Sequence, residues 1–152
     1  MKETVHGTAL IADGTGILIL GASGSGKSEL ALDLIDQCRM RGKPATLIGD
    51  DRLFIEKSLK GVFASVPETI AGLIEVRGSG VHRIDFQPHG RIDMAVRLVD
   101  PEKALRMAEN HPVEVLPGII LPCLDLPQRS FSATRAVLAR LGLYGGVHKP
   151  IS

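Results

Sequence analysis

The glycine-rich loop at residues 21–28 is the feature that most constrains the fold of this chain. It reads Gly-Ala-Ser-Gly-Ser-Gly-Lys-Ser and fits GxxxxGK[ST], a pattern that is informative only between a strand and a helix. The apolar run at residues 17–20 predicts a strand, and Leu30, Leu34 and Cys38 recur at the spacing of one helix face. The sequence therefore predicts a phosphate-binding loop, and the alternative is a glycine-rich turn that binds nothing.

Each part of this loop has a physical role in the prediction. Glycines let backbone N–H groups curl around phosphate oxygens, and the helix that begins at Lys27 adds the positive end of its dipole. The Lys27 ammonium is expected to reach the β- and γ-phosphates and to act in catalysis, and the Ser28 hydroxyl is expected to bind Mg²⁺. The predicted nucleotide-binding set is Gly21, Ala22, Ser23, Gly24, Ser25, Gly26, Lys27 and Ser28.

The order of the predicted elements in the first half indicates the α/β class. Two hairpin strands at 8–11 and 17–20 come first, and the helix from Lys27 to about Gly42 follows the loop. An apolar strand at 45–48 comes next. This order of strand, loop, helix and strand is typical of an α/β domain.

The second half of the chain carries weaker local patterns. Apolar residues alternate over 92–98, which predicts a half-buried strand, and a helix is predicted over 100–109. Four prolines between 112 and 127 exclude helix there and predict extended segments. Ser132 is expected to cap a last helix that runs through Arg140.

Composition excludes several classes of protein. The 152 residues fit one domain, and 44% hydrophobic with 23% charged residues is not the composition of a disordered chain. A net charge of +1, 3% aromatic residues and the lack of a long apolar run indicate no nucleic-acid partner, no membrane partner and no secretory signal. Two cysteines without a CxxC pair indicate neither a disulfide framework nor a thiolate zinc site. We expect a cytoplasmic protein with one domain over 1–144 and a loose C-terminal tail over 145–152.

Two adjacent carboxylates follow the predicted strand at 45–48. Asp50 and Asp51 would lie beside the phosphate loop, since one helix and one strand separate them from it. One carboxylate can hold Mg²⁺ or its water, and the other can take a proton from an attacking hydroxyl. The alternative is a solvated acidic turn.

Four segments, in order, resemble the motifs of HPr kinase/phosphorylase. They are His6-Gly7, the glycine-rich loop with Glu29 after it, the Gly-Asp-Asp-Arg run at 49–52, and Ile-Glu-Val-Arg-Gly-Ser-Gly at 74–80. The resemblance covers about residues 4 to 125, and Glu29 and the 74–80 segment are its specific parts. Because no N-terminal domain precedes these motifs, the sequence is similar to the short form with the catalytic C-terminal domain only, as in α-proteobacteria.

The resemblance implies roles that the composition alone does not assign. It implies an active-site histidine at His6, a general base at Asp51 and a second Mg²⁺ ligand at Glu75. It also implies a catalytic arginine, for which Arg106 is the best counterpart. From the residues alone, His6 could be an exposed histidine, and Glu75 and Arg106 could belong to ordinary surface ion pairs.

The resemblance also implies a fold and an activity. The implied fold is a P-loop core with a mixed β-sheet, resembling the phosphoenolpyruvate carboxykinase-like fold, and the implied assembly is a homo-oligomer, a hexamer in the family. The implied activity is that of an ATP-dependent protein-serine kinase that uses Mg²⁺ and phosphorylates the phosphocarrier HPr. A small-metabolite P-loop kinase and a non-catalytic nucleotide-binding regulatory module are the alternatives.

Two segments depart from the family pattern. Ala22 stands where the family usually has aspartate, and the proline- and arginine-rich loop tied to dephosphorylation is altered at 122–129. From 121 to 129 only Arg129 offers a cation, and Asp125 is expected to add an unfavourable charge near phosphate. We therefore expect a kinase whose phosphorylase activity is weak or depends on residues of a neighbouring subunit.

Overall fold

A computed structural model of the chain describes residues 3–104 and 110–151. Its helices are α1 (Lys27–Met40) and α2 (Phe131–Arg140), with one 3₁₀ turn at Glu68–Ile70. In chain order the strands are β1 (Glu3–His6), β2 (Thr8–Ala12), β3 (Thr15–Gly21), β4 (Ala45–Gly49), β5 (Arg52–Ser58), β6 (Gly61–Ser65), β7 (Leu73–Val76), β8 (Gly80–Arg83), β9 (His89–Ile92), β10 (Met94–Val99), β11 (His111–Leu116) and β12 (Ile119–Pro127).

The strands form three sheets, of which the largest is mixed. Six strands lie in the order β11-β12-β10-β3-β2-β4, where β10 runs parallel to both β3 and β12 and the other pairs are antiparallel. A second, antiparallel sheet has the order β1-β5-β6-β9, and β7 and β8 form a separate hairpin. The predicted α/β class with a mixed sheet is therefore confirmed.

The six-stranded sheet lies between the two helices and the four-stranded sheet. Side chains on a strand alternate between its faces, so β3 sends Ile17 and Ile19 towards the helices and Leu18 towards the other sheet. All three are fully buried, and burial of a side chain of this size contributes about 1.5–3 kcal/mol. The central strand thus holds three layers together and carries the glycine-rich loop at its end.

The alternating run at 92–98 is two strands rather than one half-buried strand. Ile92 belongs to β9 in the four-stranded sheet, whereas Met94 begins β10 in the six-stranded sheet. Asp93 lies between them. Its backbone N–H donates a hydrogen bond to the Gly16 carbonyl, and its carboxylate accepts one from the Gly16 N–H, at 2.8 Å each. β10 is buried on both faces, with Val96 towards the helices and Ala95 towards the other sheet, as expected of a central parallel strand.

The helix predictions hold to different degrees. Helix α1 begins at Lys27 and ends two residues before Gly42, as predicted. The cap of α2 is Ser130 rather than Ser132, because the Ser130 hydroxyl accepts a hydrogen bond of 3.1 Å from the backbone N–H of Ser132. Residues 101–104 form a turn, and the rest of the predicted helix at 100–109, including Arg106, lies outside the described residues. Neither described helix is long and apolar enough to cross a membrane.

Candidate functional site

A cleft of about 570 Å³ opens between the glycine-rich loop, the β4–β5 turn and the β7–β8 hairpin. These three parts are far apart in the sequence, and only the folded sheet brings them together. Among the predicted site residues, those that line the cleft are His6, Ser23, Gly24, Gly26, Lys27, Ser28, Asp51 and Glu75, and Asp50 lines it beside them. Gly21, Ala22 and Ser25 belong to the loop but do not line the cleft.

The glycine-rich loop joins the end of β3 to the start of α1 in a conformation that needs its glycines. Gly24 and Gly26 have φ of +79° and +96°, a region that side-chain-bearing residues rarely adopt. A Cβ at Gly21 would lie 2.6 Å from the Ser25 hydroxyl oxygen, so a side chain there would displace that hydroxyl. The loop ends at the N-terminus of α1, where free backbone N–H groups and the helix dipole favour anions.

Lys27 lies in the first turn of α1 and folds back over this loop. Its ammonium group donates hydrogen bonds of 3.0 Å to the backbone carbonyls of Gly21 and Ala22. Burial lowers the pKa of Lys27, while the negative charges of Asp50 and Asp51 raise it. The result is a cation tied to the loop, in position to meet an anion that the loop surrounds.

Asp50 is the centre of the polar contacts on the other side of the cleft. Its carboxylate accepts hydrogen bonds from the hydroxyls of Ser28 at 2.8 and 2.9 Å and of Thr8 at 2.7 Å, and from the backbone N–H of Glu75 at 3.3 Å. The residue is only 7% exposed. In the part of the chain that the structure describes, no basic side chain forms an ion pair with Asp50. Neutral donors therefore orient the carboxylate without neutralising its charge.

Thr8 is the site residue that sequence reasoning missed. It lies on β2 and is fully buried. Its hydroxyl donates a hydrogen bond to Asp50, which lies 42 residues away in the sequence. Its one sequence signal is a polar side chain that begins an apolar strand two residues after His6. That signal predicts nothing by itself, because the partner becomes visible only when β2 and β4 pair.

Asp51 points into the cleft from a tight backbone turn. Its φ is +75°, and the backbone N–H of Arg52 donates to the carbonyl of Asp50 at 3.0 Å, which closes a three-residue turn around Asp51. A γ-turn with positive φ is rare and strained for a residue with a side chain, and such strain concentrates at functional sites. The turn leaves the Asp51 side chain 74% exposed, with one carboxylate oxygen 3.7 Å from Nε2 of His6.

The β7–β8 hairpin supplies Glu75 to the cleft. Its backbone is anchored to Asp50, and its side chain is exposed towards the cleft. The neighbouring Arg77 lies 4.0 Å from a carboxylate oxygen of Glu29 on α1. Arg77 therefore faces α1, and in the described residues Glu75 has no ion pair that would remove its charge.

We expected the altered segment at 122–129 to place an acid near the glycine-rich loop. The structure does not confirm this expectation. Residues 122–127 belong to β12, and Asp125 accepts two hydrogen bonds of 2.9 Å from the guanidinium of Arg97. Asp125 does not line the cleft, so the prediction that it adds an unfavourable charge near phosphate is wrong. Arg129 touches the loop through its backbone N–H, which donates to the carbonyl of Ser25 at 3.1 Å.

The sequence model of the HPr Serine kinase C-terminal domain family matches residues 1–129. The chain belongs to this family. Curated relatives named HPr kinase/phosphorylase include those of Caldicellulosiruptor bescii, 33% identical over 141 residues, and Geobacillus thermodenitrificans, 36% identical over 137 residues. These alignments cover 84% and 82% of this chain but only 43% and 42% of the relatives. The chain thus spans less than half the length of these relatives.

A solved structure agrees with the family membership. The Hpr(Ser) kinase/phosphatase from Coxiella burnetii superposes with a TM-score of 0.74 at 27% sequence identity. The match covers 95% of this chain and 100% of the Coxiella chain. The similarity therefore extends through the mixed sheet and both helices, well beyond the motifs of the cleft.

Proposed function

We propose that this chain is an ATP-dependent protein-serine kinase that phosphorylates HPr. The observation that carries the proposal is the convergence of Lys27, Ser28, Asp50 and Asp51 in one cleft beside the glycine-rich loop. A fixed cation, a phosphate-binding loop and an exposed carboxylate are what phosphoryl transfer to a hydroxyl requires. Family membership supports the choice of HPr as acceptor, since the curated relatives are named for it.

The proposed fold assignment follows from the same loop. We take residues 21–28 as a P-loop within a phosphoenolpyruvate carboxykinase-like core and residues 1–144 as one kinase domain, with 145–152 as its tail. The strand before the loop and the helix after it support this assignment. A homo-oligomer, a hexamer by resemblance, and a cytoplasmic location complete the proposal, in which neither a nucleic acid nor a membrane is a partner.

The proposed reaction moves one phosphoryl group and one proton. The acceptor serine oxygen bonds to the γ-phosphorus, the bond from that phosphorus to the β–γ bridging oxygen breaks, and ADP leaves. Asp51 takes the serine proton, and His6, whose active-site role is assigned by resemblance, lies with its Nε2 3.7 Å from the Asp51 carboxylate. Lys27 and the loop N–H groups stabilise the charge that develops on the phosphate oxygens. The role of a further arginine is assigned to Arg106 by resemblance alone.

The donor set of the cleft fits Mg²⁺. Ser28, Asp50 and Glu75 supply only oxygen atoms, which hard divalent cations prefer, and Asp50 is buried with its charge unpaired by the described residues. When bound with ATP, Mg²⁺ would neutralise charge on the transferred phosphate. Within the protein, Thr8 and the Glu75 backbone fix the orientation of Asp50.

The reverse reaction is proposed to be weak. An oxygen of inorganic phosphate would bond to the phosphorus of phosphoserine, pyrophosphate would form, and Asp51 would return a proton to the departing serine oxygen. The loop and Lys27 can hold the attacking phosphate. From 121 to 129, however, Arg129 is still the only cation. Release of pyrophosphate as fast as the forward transfer would contradict this part of the proposal.

The test of the function is incubation with labelled ATP, Mg²⁺ and purified HPr, with HPr lacking the acceptor serine as the control. Label on HPr but not on the control supports the kinase. Binding of ATP without transfer to any acceptor would instead favour a regulatory module. Transfer to a small hydroxylated metabolite but not to HPr would favour a metabolite kinase.

A further inference from the structure

A second, smaller cleft of about 100 Å³ lies beside the first, between α1 and the start of α2. Gly26 and Glu29 line both clefts, so the second continues from the first around the end of the glycine-rich loop. The hydrogen bond from the Arg129 N–H to the Ser25 carbonyl fixes the α2 side of this cleft to the loop. A backbone hydrogen bond therefore links the glycine-rich loop to the α2 side of the second cleft.

The direction of a bound triphosphate follows from the proposed function, on which this inference rests. Asp51 and His6 line only the first cleft, so the γ-phosphate must face that side for the acceptor hydroxyl to reach it. The chain of phosphates then runs along the loop, and the nucleoside leaves at the opposite end. Gly26 and Glu29 mark that end, because there the loop passes into the second cleft.

The lining of the second cleft suits a flat ring with a polar edge. Leu30, Leu98 and Ala133 form an apolar floor. Phe131 stands at the rim with 74% of its surface exposed, and it is one of only five aromatic residues in the chain. Exposed aromatic side chains stack on nucleobases without regard to sequence, because every base has a π-face.

One carboxylate of the second cleft can accept a hydrogen bond from the edge of such a ring. Glu29 and Asp33 lie one helical turn apart on α1, and Glu29 is already within 4.0 Å of Arg77. Asp33 is half-buried and forms no ion pair with the described residues, including Arg129, which lines the same cleft. Its pKa is raised, first by burial and then by Glu29 and Asp36. A half-buried carboxylate without a cation is an acceptor for neutral N–H donors.

We propose that the second cleft binds the base of the nucleoside triphosphate, with Phe131 stacking on the ring and Asp33 accepting a hydrogen bond from an exocyclic amino group. The cleft has room for about three water molecules, so it covers one edge of the base and leaves the ribose in solvent. A base with an amino group at that edge, as in adenine, binds better than one with a carbonyl group there.

The first experiment separates base binding from phosphate binding. Titration calorimetry compares ATP with inorganic tripolyphosphate on the wild type and on Phe131→Ala. We expect ATP to bind the variant about 10-fold more weakly, from the energy of one stacked base, with tripolyphosphate unchanged. Phe131→Tyr should restore ATP binding. Ile120→Ala, a similarly exposed apolar residue on β12 outside both clefts, is the matched control and should change neither.

The outcomes distinguish this inference from the proposed function. Unchanged ATP binding by Phe131→Ala, in a protein that still phosphorylates HPr, would overturn the base site and leave the kinase intact. A wild type that binds neither ATP nor tripolyphosphate would instead overturn the proposed function. Weaker binding of both ligands to Phe131→Ala would also count against the base site, because a stacking residue does not act on bare phosphate.

The second experiment tests the role of Asp33. ITP differs from ATP in carrying a carbonyl group in place of the exocyclic amino group, and a carboxylate repels that oxygen. We expect the wild type to bind ATP about 10-fold more tightly than ITP, as the loss of one hydrogen bond with a charged partner implies. Asp33→Asn should bind the two almost equally, since an amide can donate as well as accept. Equal binding by the wild type would overturn the assignment of Asp33.

Discussion

Two aspartates, one in the cleft and one on β12, are oriented by opposite means. Among the residues that the structure describes, Asp50, in the cleft, accepts only from neutral groups, namely the hydroxyls of Thr8 and Ser28 and one backbone N–H. Asp125, on β12, accepts two hydrogen bonds of 2.9 Å from the Arg97 guanidinium. Both carboxylates are held in place, but only Asp50 keeps its charge free for a cation from outside.

The comparison explains why a cluster of histidine, cysteine and aspartate around Asp125 is not the candidate metal site, although these residue types commonly bind metals. His111, Cys123 and Asp125 bring potential ligand atoms within 4.8 Å of one another. Arg97, however, already neutralises Asp125, and burial raises the pKa of Cys123 to about 11, which keeps the thiol protonated. Charge that is already paired serves stability, whereas charge oriented by neutral donors is available for chemistry.

The largest expected effect comes from removing the cation on the Asp50 side. Lys27→Ala removes the ammonium group that the loop carbonyls hold, so triphosphate binding should weaken and the rate of transfer should fall at least about a hundredfold. Steady-state transfer to HPr measures the effect. Near-normal turnover would show that the glycine-rich loop is not the phosphate site.

The next effect separates two carboxylates of the cleft. Asp51→Asn should keep binding of ATP with Mg²⁺ and reduce transfer about a hundredfold, because the amide cannot accept the serine proton. Glu75→Gln should instead raise the Mg²⁺ concentration needed for half-maximal transfer, as expected of a metal ligand. Titration of Mg²⁺ for both variants distinguishes them. An equal shift in metal dependence would mean that the division of roles is wrong.

A smaller effect tests the neutral donors of Asp50 directly. Thr8→Val keeps nearly the same shape but removes the 2.7 Å hydrogen bond to Asp50. Since a hydrogen bond to a charged group contributes about 1.5–3 kcal/mol, transfer should fall about tenfold and the Mg²⁺ requirement should rise. Thr8→Ser retains a hydroxyl and should behave like the wild type. If Thr8→Val lost stability alone, with unchanged metal dependence, Thr8 would not position Asp50 for function.

The smallest effect is expected on the Asp125 side, and only in stability. Arg97→Met should lower the free energy of unfolding by about 1 kcal/mol, a modest figure because both partners are partly exposed, and should leave transfer unchanged. Arg97, chiefly through its hydrogen bonds, holds the pKa of Asp125 below its usual range. The stabilisation is therefore present at neutral pH and is lost as the pH falls through that lowered pKa.

Denaturation at several pH values measures this difference. The gap in stability between the wild type and Arg97→Met should be constant near neutral pH, should begin to narrow below about pH 4, the ordinary pKa of an aspartate in an unfolded chain, and should close as the pH falls through the lowered pKa of folded Asp125. A gap that persisted unchanged into acid would show that Arg97 stabilises the fold by packing rather than by its charge.

Local patterns were sufficient for the part of the site that is continuous in sequence. The strand at 17–20, the loop at 21–28 and the helix from Lys27 appear where the sequence predicts them. Apolar periodicity and glycine conformation are properties of neighbouring residues, so they are readable before any long-range contact exists. The placement of Asp50 and Asp51 beside this loop also followed, because one helix and one strand return the chain to the same edge of the sheet.

Long-range pairing decided the rest. The sequence predicted one alternating strand at 92–98, yet the fold divides it between two sheets at Asp93. Asp93 is held there by two hydrogen bonds with Gly16, which belongs to the β2–β3 hairpin. The assignment of Asp125 to the phosphate region failed for the same reason, since its partner Arg97 lies 28 residues away on β10.

What the sequence by itself determined is therefore the strand, loop and helix that can surround a phosphate, together with the family to which they belong. Only the tertiary structure decided which carboxylate stays unpaired, which hydroxyl orients it, and that a second cleft continues from the first. The physical reason is that charge and hydrogen bonding act through space. Thr8 and Asp50 are 42 residues apart in sequence and 2.7 Å apart in the fold, and no local pattern contains that distance.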